Sequence, residues 1–351
     1  MSSQTAMVEA QGLNVKTKPH SRGATLVELL IVVAIISLLL QLALPAVEMT
    51  REAARKLSCT NNLRQIGIAS QLHIDSQGHL SSGGWTSVWL GDPNRGFAKN
   101  QPGGWCYNLL PYMEQQALHD MGKGLSDQQR KEAAGVMFST PLAGFSCPSR
   151  RLARPLRFNR ALFNSIKPEN AGRSDYAASI GSLEPSDQRG PGPRTYEEAE
   201  KWSIGTDRLK TWVGWQHNGV VFQRSTVEPR SVLDGMSNTY LAGEKFLAPK
   251  YYTNGKSDGD DQGLCIGFDR DNARSTNVLH PPLLDRDIES AWYPVGDSKS
   301  VVTWNFGSPH PSGMNMASCD GSVVSIAYDV DMAVFTAKGS RDGDDDAATQ
   351  P

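Results

Sequence analysis

The hydrophobic pattern divides the chain into four stretches. Residues 1–23 are polar, and Lys16, Lys18, His20 and Arg22 crowd their end. From Ala24 to Val47 nearly every side chain is apolar, interrupted chiefly by Glu28, Ser37, Gln41 and Pro45. A helix needs about 20 such residues to cross the ~30 Å hydrocarbon layer, so this run predicts a transmembrane helix over 24–47. The apolar core of a secretory signal peptide is only about 7–15 residues long and precedes its small-residue cleavage site. Here the run is longer, and the small residue, Gly23, stands before it. The basic flank predicts a cytoplasmic N-terminus and a single pass through the cell inner membrane, with the C-terminal part extracytoplasmic, in the periplasm or at the surface.

Residues 48–78 carry strong helix formers, with apolar positions near helical spacing at Ala53, Ala54, Leu57, Leu63, Ile66, Ile68 and Ala69. Glu48 with Arg51, and Glu52 with Arg55 or Lys56, form i,i+3 and i,i+4 pairs on the helix surface. Gly78 supplies the stop. At 1.5 Å per residue, an unbroken helix from Ala24 to Gln77 would be about 80 Å long.

Residues 79–338 read as an extracytoplasmic α+β domain. Short helices are predicted at Leu109–Leu118, entered through Pro111, and at Ser126–Val136. Strands are predicted at Phe145–Ser149, Asp175–Ile180 and Gly219–Phe222, and after a turn within Ser231–Glu244. Two strand-like runs flank Asp320-Gly321 between Met314 and Tyr328, a hairpin signal because glycine accepts positive φ. The acidic tail 339–351 is predicted to be disordered. The fold class is α+β: a long pilin-like N-terminal helix, transmembrane in its first half, packed on a loop-rich, mainly antiparallel β body.

Composition narrows the function. The net charge of −2 gives no general pull toward nucleic acid. Eight tryptophans and 33 glycines suit a loop-rich β body. The five cysteines (Cys59, Cys106, Cys147, Cys265, Cys319) contain no CxxC pair, which argues against a zinc ribbon. An exported body could form up to two disulfides, whose pairing the sequence leaves open. No H-E-x-x-H, G-x-S-x-G or phosphate-binding glycine loop is present. The acidic stretches Asp258–Asp261 and Asp342–Asp346 lack the ligand alternation of an EF-hand, so solvated loops are favoured over a calcium site. No metal ligand and no cofactor are assigned. Trp85, Trp89, Trp105, Trp212 and Trp215 serve either core packing, the favoured reading, or a carbohydrate platform. Glu28, costly inside lipid, requires a partner and a purpose.

The segment Arg22-Gly23-Ala24-Thr25-Leu26-Val27-Glu28 resembles the cleavage and methylation motif of type IV prepilins and type II secretion pseudopilins. The resemblance implies cleavage by prepilin peptidase after Gly23, methylation of the new N-terminal Ala24, and Glu28 at mature position five. These families favour phenylalanine where this chain has Ala24. A cationic new terminus and Glu28 could neutralise one another and set the register between subunits.

The remainder resembles a bacterial family with a C-terminal H-x(9)-D-G domain (domain of unknown function 1559). The resemblance rests on Cys59-Thr-Asn-Asn-Leu-Arg-Gln-Ile-Gly67, Leu109-Leu-Pro-Tyr-Met-Glu-Gln115 and Cys147-Pro-Ser149. It rests further on Asp234-Gly235-Met-Ser-Asn-Thr239 with Gly243-Glu244, and on His310 with Asp320-Gly321. His310, Asp320, Gly321, Asp234 and Gly235 are read as structural: His310 would cap the turn before the hairpin, and Asp320 would make the turn. A metal or catalytic pairing of His310 with Asp320 is the weaker alternative. Cys59 and Cys147, both in family segments, are either a disulfide between helix and body or small buried thiols.

Three functions compete. The favoured one is a non-enzymatic, pseudopilin-like structural subunit of a type II secretion or pilus-like assembly. Its partners would be prepilin peptidase, other pilin-like subunits or secretion machinery, and the lipid bilayer, with no nucleic acid. The alternative is an anchored extracytoplasmic binding module for an envelope polysaccharide or protein. A hydrolase using His310 would need a pocket joining it to other titratable groups.

Overall fold

The computed structural model describes residues 25–185, 192–201, 217–287, 292–295 and 298–343. The expected leader 1–23, with Gly23 and Ala24, lies outside the described residues, as do Trp212 and Trp215. The chain divides into two compact units, residues 1–51 and 52–351.

A helix covers Leu26–Gln77, with Pro45 inside it. Its start is a capping box: the Thr25 amide donates to Glu28 Oε2 (2.8 Å), and the Glu28 amide donates to Thr25 Oγ1 (3.2 Å). Ser37 bonds back to the Val33 carbonyl (2.7 Å), as hydroxyls in apolar helices do. Throughout the first unit the large apolar side chains, among them Leu30, Ile35 and Leu44, are exposed. The helix stops where Gly78, at φ +80°, donates to the Ile74 carbonyl.

In the second unit the buried face of this helix is Cys59, Leu63, Ile66, Gly67, Ala69, Ser70 and His73. These positions keep 3–4 residue spacing, but apolarity alone does not identify them. Ala53, Ala54, Leu57 and Ile68, which belong to the same apolar spacing, are exposed. At Gly67 the cause is close approach: a Cβ there would stand 2.7 Å from the Gly321 Cα, so this position requires glycine.

The central sheet has five strands. Met314–Ser318 pairs antiparallel with Val323–Ile326 on one side and with Tyr240–Glu244 on the other. Tyr240–Glu244 pairs antiparallel with Tyr176–Ser179, and Ala273–Arg274 adds parallel to Tyr176–Ser179. Met314–Ser318, Tyr240–Glu244 and Tyr176–Ser179 are buried along their whole length, whereas Val323–Ile326 is mostly solvent-facing. Small residues let the layers close; a Cβ on Gly243 would run into the Met316 sulfur. Leu63 and Ile66 of the helix join Trp105, Phe138, Phe145 and Leu241 in the main core. The body is thus α+β with mostly antiparallel pairing.

Local differences have physical causes. Asp127–Ser139 is helical as expected, entered at Ser126, whose amide donates to Gln129. The Leu109–Leu118 region is broken into Trp105–Leu109, a 3-10 turn Leu110–Met113 and Gln116–His119, because Glu114 takes positive φ. Phe145–Ser149 is not a strand: a 3-10 turn Ala143–Phe145 leads into a loop. Gly219–Phe222 is likewise no strand, although the Gly219 amide donates to the Ile180 carbonyl. The tail expected to be disordered from 339 is packed through its first residues. Ser340 is buried, and the Arg341 carbonyl accepts from the Leu233 amide. Residues 344–351 lie outside the described residues.

Candidate functional site

Four stretches distant in sequence meet at one buried point. Glu52 and Cys59 are seven residues apart on the helix, which places them two turns apart on one face. Cys147 follows the turn Ala143–Phe145, and its amide donates to Asp175 Oδ2 (2.8 Å). Glu244 ends its strand, and its Oε2 accepts from the Asn315 amide (2.7 Å) and Asn315 Nδ2 (3.1 Å). His310 lies in the loop before Met314–Ser318, where the Tyr328 hydroxyl donates to its carbonyl (2.8 Å).

The His310 ring is buried between carboxylates. Nδ1 donates to Glu52 Oε1 (2.6 Å), and Nε2 faces Glu244 Oε1 (3.4 Å) and Cys147 Sγ (3.9 Å). Both nitrogens therefore meet acceptors, the arrangement of an imidazolium. Burial disfavours that charge, but Cys147, Glu244 and Glu52 outweigh it and raise the His310 pKa to about 10. Glu52 is lowered: its partial burial is overcome by His310, Arg55 and Ser149. Arg55 Nε donates to Glu52 Oε2 (2.9 Å), and Ser149 Oγ lies 3.0 Å from the same oxygen.

Cys59 and Cys147 are fully buried with their sulfurs 2.8 Å apart. As thiols they ionise unequally. The hydrogen bond from Cys59 is the largest influence bringing Cys147 down to about 7, helped by His310 against burial. The same contact, with burial, raises Cys59.

Cys59, Cys147, Glu244 and His310 offer donor atoms all within 4.8 Å of one another, a set that zinc accepts. The spacing fits a metal only in part. Zn–S bonds of about 2.3 Å in a tetrahedron hold two sulfurs roughly 3.8 Å apart, so the thiol pair is too close for that arrangement.

A buried ion network fixes the Cys147 loop from behind. Arg150 and Arg151 both reach Asp175 Oδ1, at 3.2 and 2.8 Å. Arg150 also pairs with Asp285 (2.8 Å) and Arg151 with Asp260, which Lys245 Nζ contacts at 2.9 Å. Arg151 and Lys245 hold the Asp260 carboxyl below its ordinary range despite burial. Asp260 and Asp261 therefore do not form the solvated loop expected, nor an open calcium site: Asp260 is buried among cations, and Asp261 pairs with Arg160.

The structure parts His310 from Asp320. The His310 ring turns to Glu52 and Glu244 and does not cap the hairpin. Asp320 Oδ1 accepts from the Ser322 amide (2.9 Å) and hydroxyl (2.7 Å), and Gly321 takes φ +86°. Asp234 accepts from the Gly343 amide (3.0 Å), and Gly235 takes φ +91°. Neither lies in the His310 cluster. Trp85, Trp89 and Trp105 are buried, so they form no exposed platform. The sequence reading missed Glu52 and Glu244 as partners of His310. Glu52 looked like a helix-surface pair, and Glu244 was marked only by its place in a family segment.

These features define a class first: a membrane-anchored, prepilin-like chain whose α+β body closes around a cysteine–histidine–carboxylate cluster. Residues 18–40 match the prokaryotic N-terminal methylation motif, which marks chains processed by prepilin peptidase and assembled in the manner of pilins. Residues 49–333 match a family described as a protein of unknown function (DUF1559), and the chain belongs to that family. No curated protein and no solved structure matches it.

Proposed function

We propose that this chain is a pseudopilin-like structural subunit of a type II secretion or pilus-like assembly, and not an enzyme. In this reading it sits in the inner membrane, with its N-terminus cytoplasmic and its body outside. Prepilin peptidase cuts after Gly23, and neighbouring subunits pack terminus to Glu28. The observation that carries the reading is Glu28 itself, a carboxylate at the start of a helix whose large apolar side chains are exposed throughout its first unit, up to Arg51. A carboxylate in lipid costs about 2.5–3.5 kcal/mol at the bilayer centre and less near its edge, so its retention favours a paired role. Within the body the same helix leaves Leu57, Ile68 and Leu72 exposed, an apolar face suited to packing against further subunits. Against a hydrolase, the His310 side chain is almost wholly buried, with carboxylates on both ring nitrogens.

The test is the N-terminal mass of membrane-extracted protein, together with filament or complex assembly by Glu28→Ala. A methylated Ala24 terminus and lost assembly are expected. An intact Met1 terminus would remove the processing claim, and normal assembly of Glu28→Ala would remove the register claim.

A further inference from the structure

We infer that Cys59 and Cys147 are joined by a disulfide in the mature protein, a covalent fastening between the anchor-bearing helix and the body, and that Cys106, Cys265 and Cys319 stay as thiols. The inference rests on the proposed export of the body, since oxidising compartments are where such bonds persist.

The sulfurs of this pair, at 2.8 Å, are nearer to bonding than to the separation a shared metal requires. Among the described residues no other pair of cysteine sulfurs is in contact. Both partners are held from outside the pair. The Cys147 amide is tied to Asp175, itself gripped by Arg150 and Arg151. Cys59 is fixed by the helix, which Glu52 anchors to His310 two turns earlier. The Asn62 side chain, on the next turn after Cys59, donates to the Ser146 carbonyl (3.0 Å), the residue before Cys147. The two segments are therefore clamped together by contacts independent of the sulfurs.

The chemistry balances with a disulfide-bearing oxidant of the envelope. One cysteine thiolate attacks the oxidant disulfide and expels one thiolate. The second cysteine thiolate attacks the resulting mixed disulfide and expels the other. The two cysteine protons end on the oxidant, which leaves as a dithiol. Because both sulfurs are buried in the closed fold, exchange belongs to the interval before closure, and the finished bond is shielded from reductants. His310, left between Glu52 and Glu244, then keeps its charge satisfied without the thiolate.

The test uses the full chain in two arms. Membrane-extracted protein, denatured in N-ethylmaleimide without reductant, should carry three adducts on its five cysteines, and digestion should release one linked peptide pair, Cys59 with Cys147. Protein that is reduced, denatured and refolded in a glutathione redox buffer should give the same pair, whatever its location in the cell. Five adducts in both arms would overturn the pairing, and one equivalent of bound zinc in such protein would assign the cluster to a metal. Linkage to any other cysteine would also overturn it. A pair formed on refolding but absent from cells would instead defeat the export reading, leaving the pairing intact. The N-terminal mass of the same sample reports processing separately.

Discussion

Gly67 of the long helix lies directly against Gly321 of the hairpin turn, so close that a Cβ on Gly67 would meet the Gly321 Cα at 2.7 Å. Gly321 is also the residue whose φ of +86° makes the turn. One glycine lets the hairpin form, and the other lets the helix reach it. Leucine is a good helix former, so Gly67→Leu favours the isolated helix while overpacking this contact. Its expected net cost is about 1–3 kcal/mol, read from denaturant unfolding of the full chain. Unchanged stability would mean that the hairpin does not rest on the helix.

The His310 cluster sets a pH dependence. Glu52, Glu244, Cys147 and Cys59 face the ring, and its folded pKa of about 10 stands above the ordinary 6.5. A raised pKa means that the protonated form stabilises the fold. That contribution is complete below pH 6.5 and fades as pH climbs toward 10. The gap in unfolding free energy between wild type and His310→Gln, measured in reductant, should therefore be widest near pH 6 and narrow steadily to pH 10. A gap independent of pH would show that the ring acts only by its shape.

Glu244→Ala removes a buried carboxylate facing His310 and leaves the Asn315 amide without its acceptor. Breaking a buried pair from one side costs about 3–5 kcal/mol, and loss of that order is expected in a urea titration. Glu244→Gln should be milder, since its amide oxygen still accepts from Asn315.

Arg151→Met strips Asp260 and Asp175 of a shared cation while keeping the apolar stem. A loss of about 3–5 kcal/mol is expected for leaving buried carboxylates short of charge. The double variant Arg151→Met with Asp260→Asn should recover part of it in a double-mutant cycle; full additivity would mean that the pair does not interact.

Thr25 and Glu28 form the capping box of the anchor helix, so two roles for Glu28 can be separated. Thr25→Ala should cost only about 1 kcal/mol of local helix stability and leave assembly intact. Glu28→Gln, which keeps an acceptor for the Thr25 amide but no charge, should insert in membranes and fail to assemble. Equal assembly by the two variants would reduce Glu28 to a helix cap.

The helix and the hairpin were legible because their signals are local. An apolar run passes into a stretch of strong helix formers that ends at the positive-φ Gly78, and Asp320-Gly321 sits between two strand-like runs. The strand at Asp175–Ile180 was legible for the same reason. Phe145–Ser149 and Gly219–Phe222 looked alike in sequence, yet they are loops pinned by contacts with distant residues. Leu57 and Ile68 share the apolar pattern yet are exposed, whereas Gly67 is buried because it meets the Gly321 backbone, a closeness no apolarity pattern carries. No local signal marks Arg150 and Arg151; only the fold supplies the aspartates that let them be buried. The cysteine, glutamate and histidine segments were each visible, but their convergence is a product of topology.

The pairing of Glu52 with His310 spans 258 positions of chain. When Glu52 leaves the ribosome, the partner that will hold it has yet to be translated. Loops this long close slowly, so this clamp on the helix forms after Leu63 and Ile66 have their core partners Trp105, Phe138 and Phe145 already synthesised. Stopping synthesis just short of His310 should therefore leave a protease-sensitive chain.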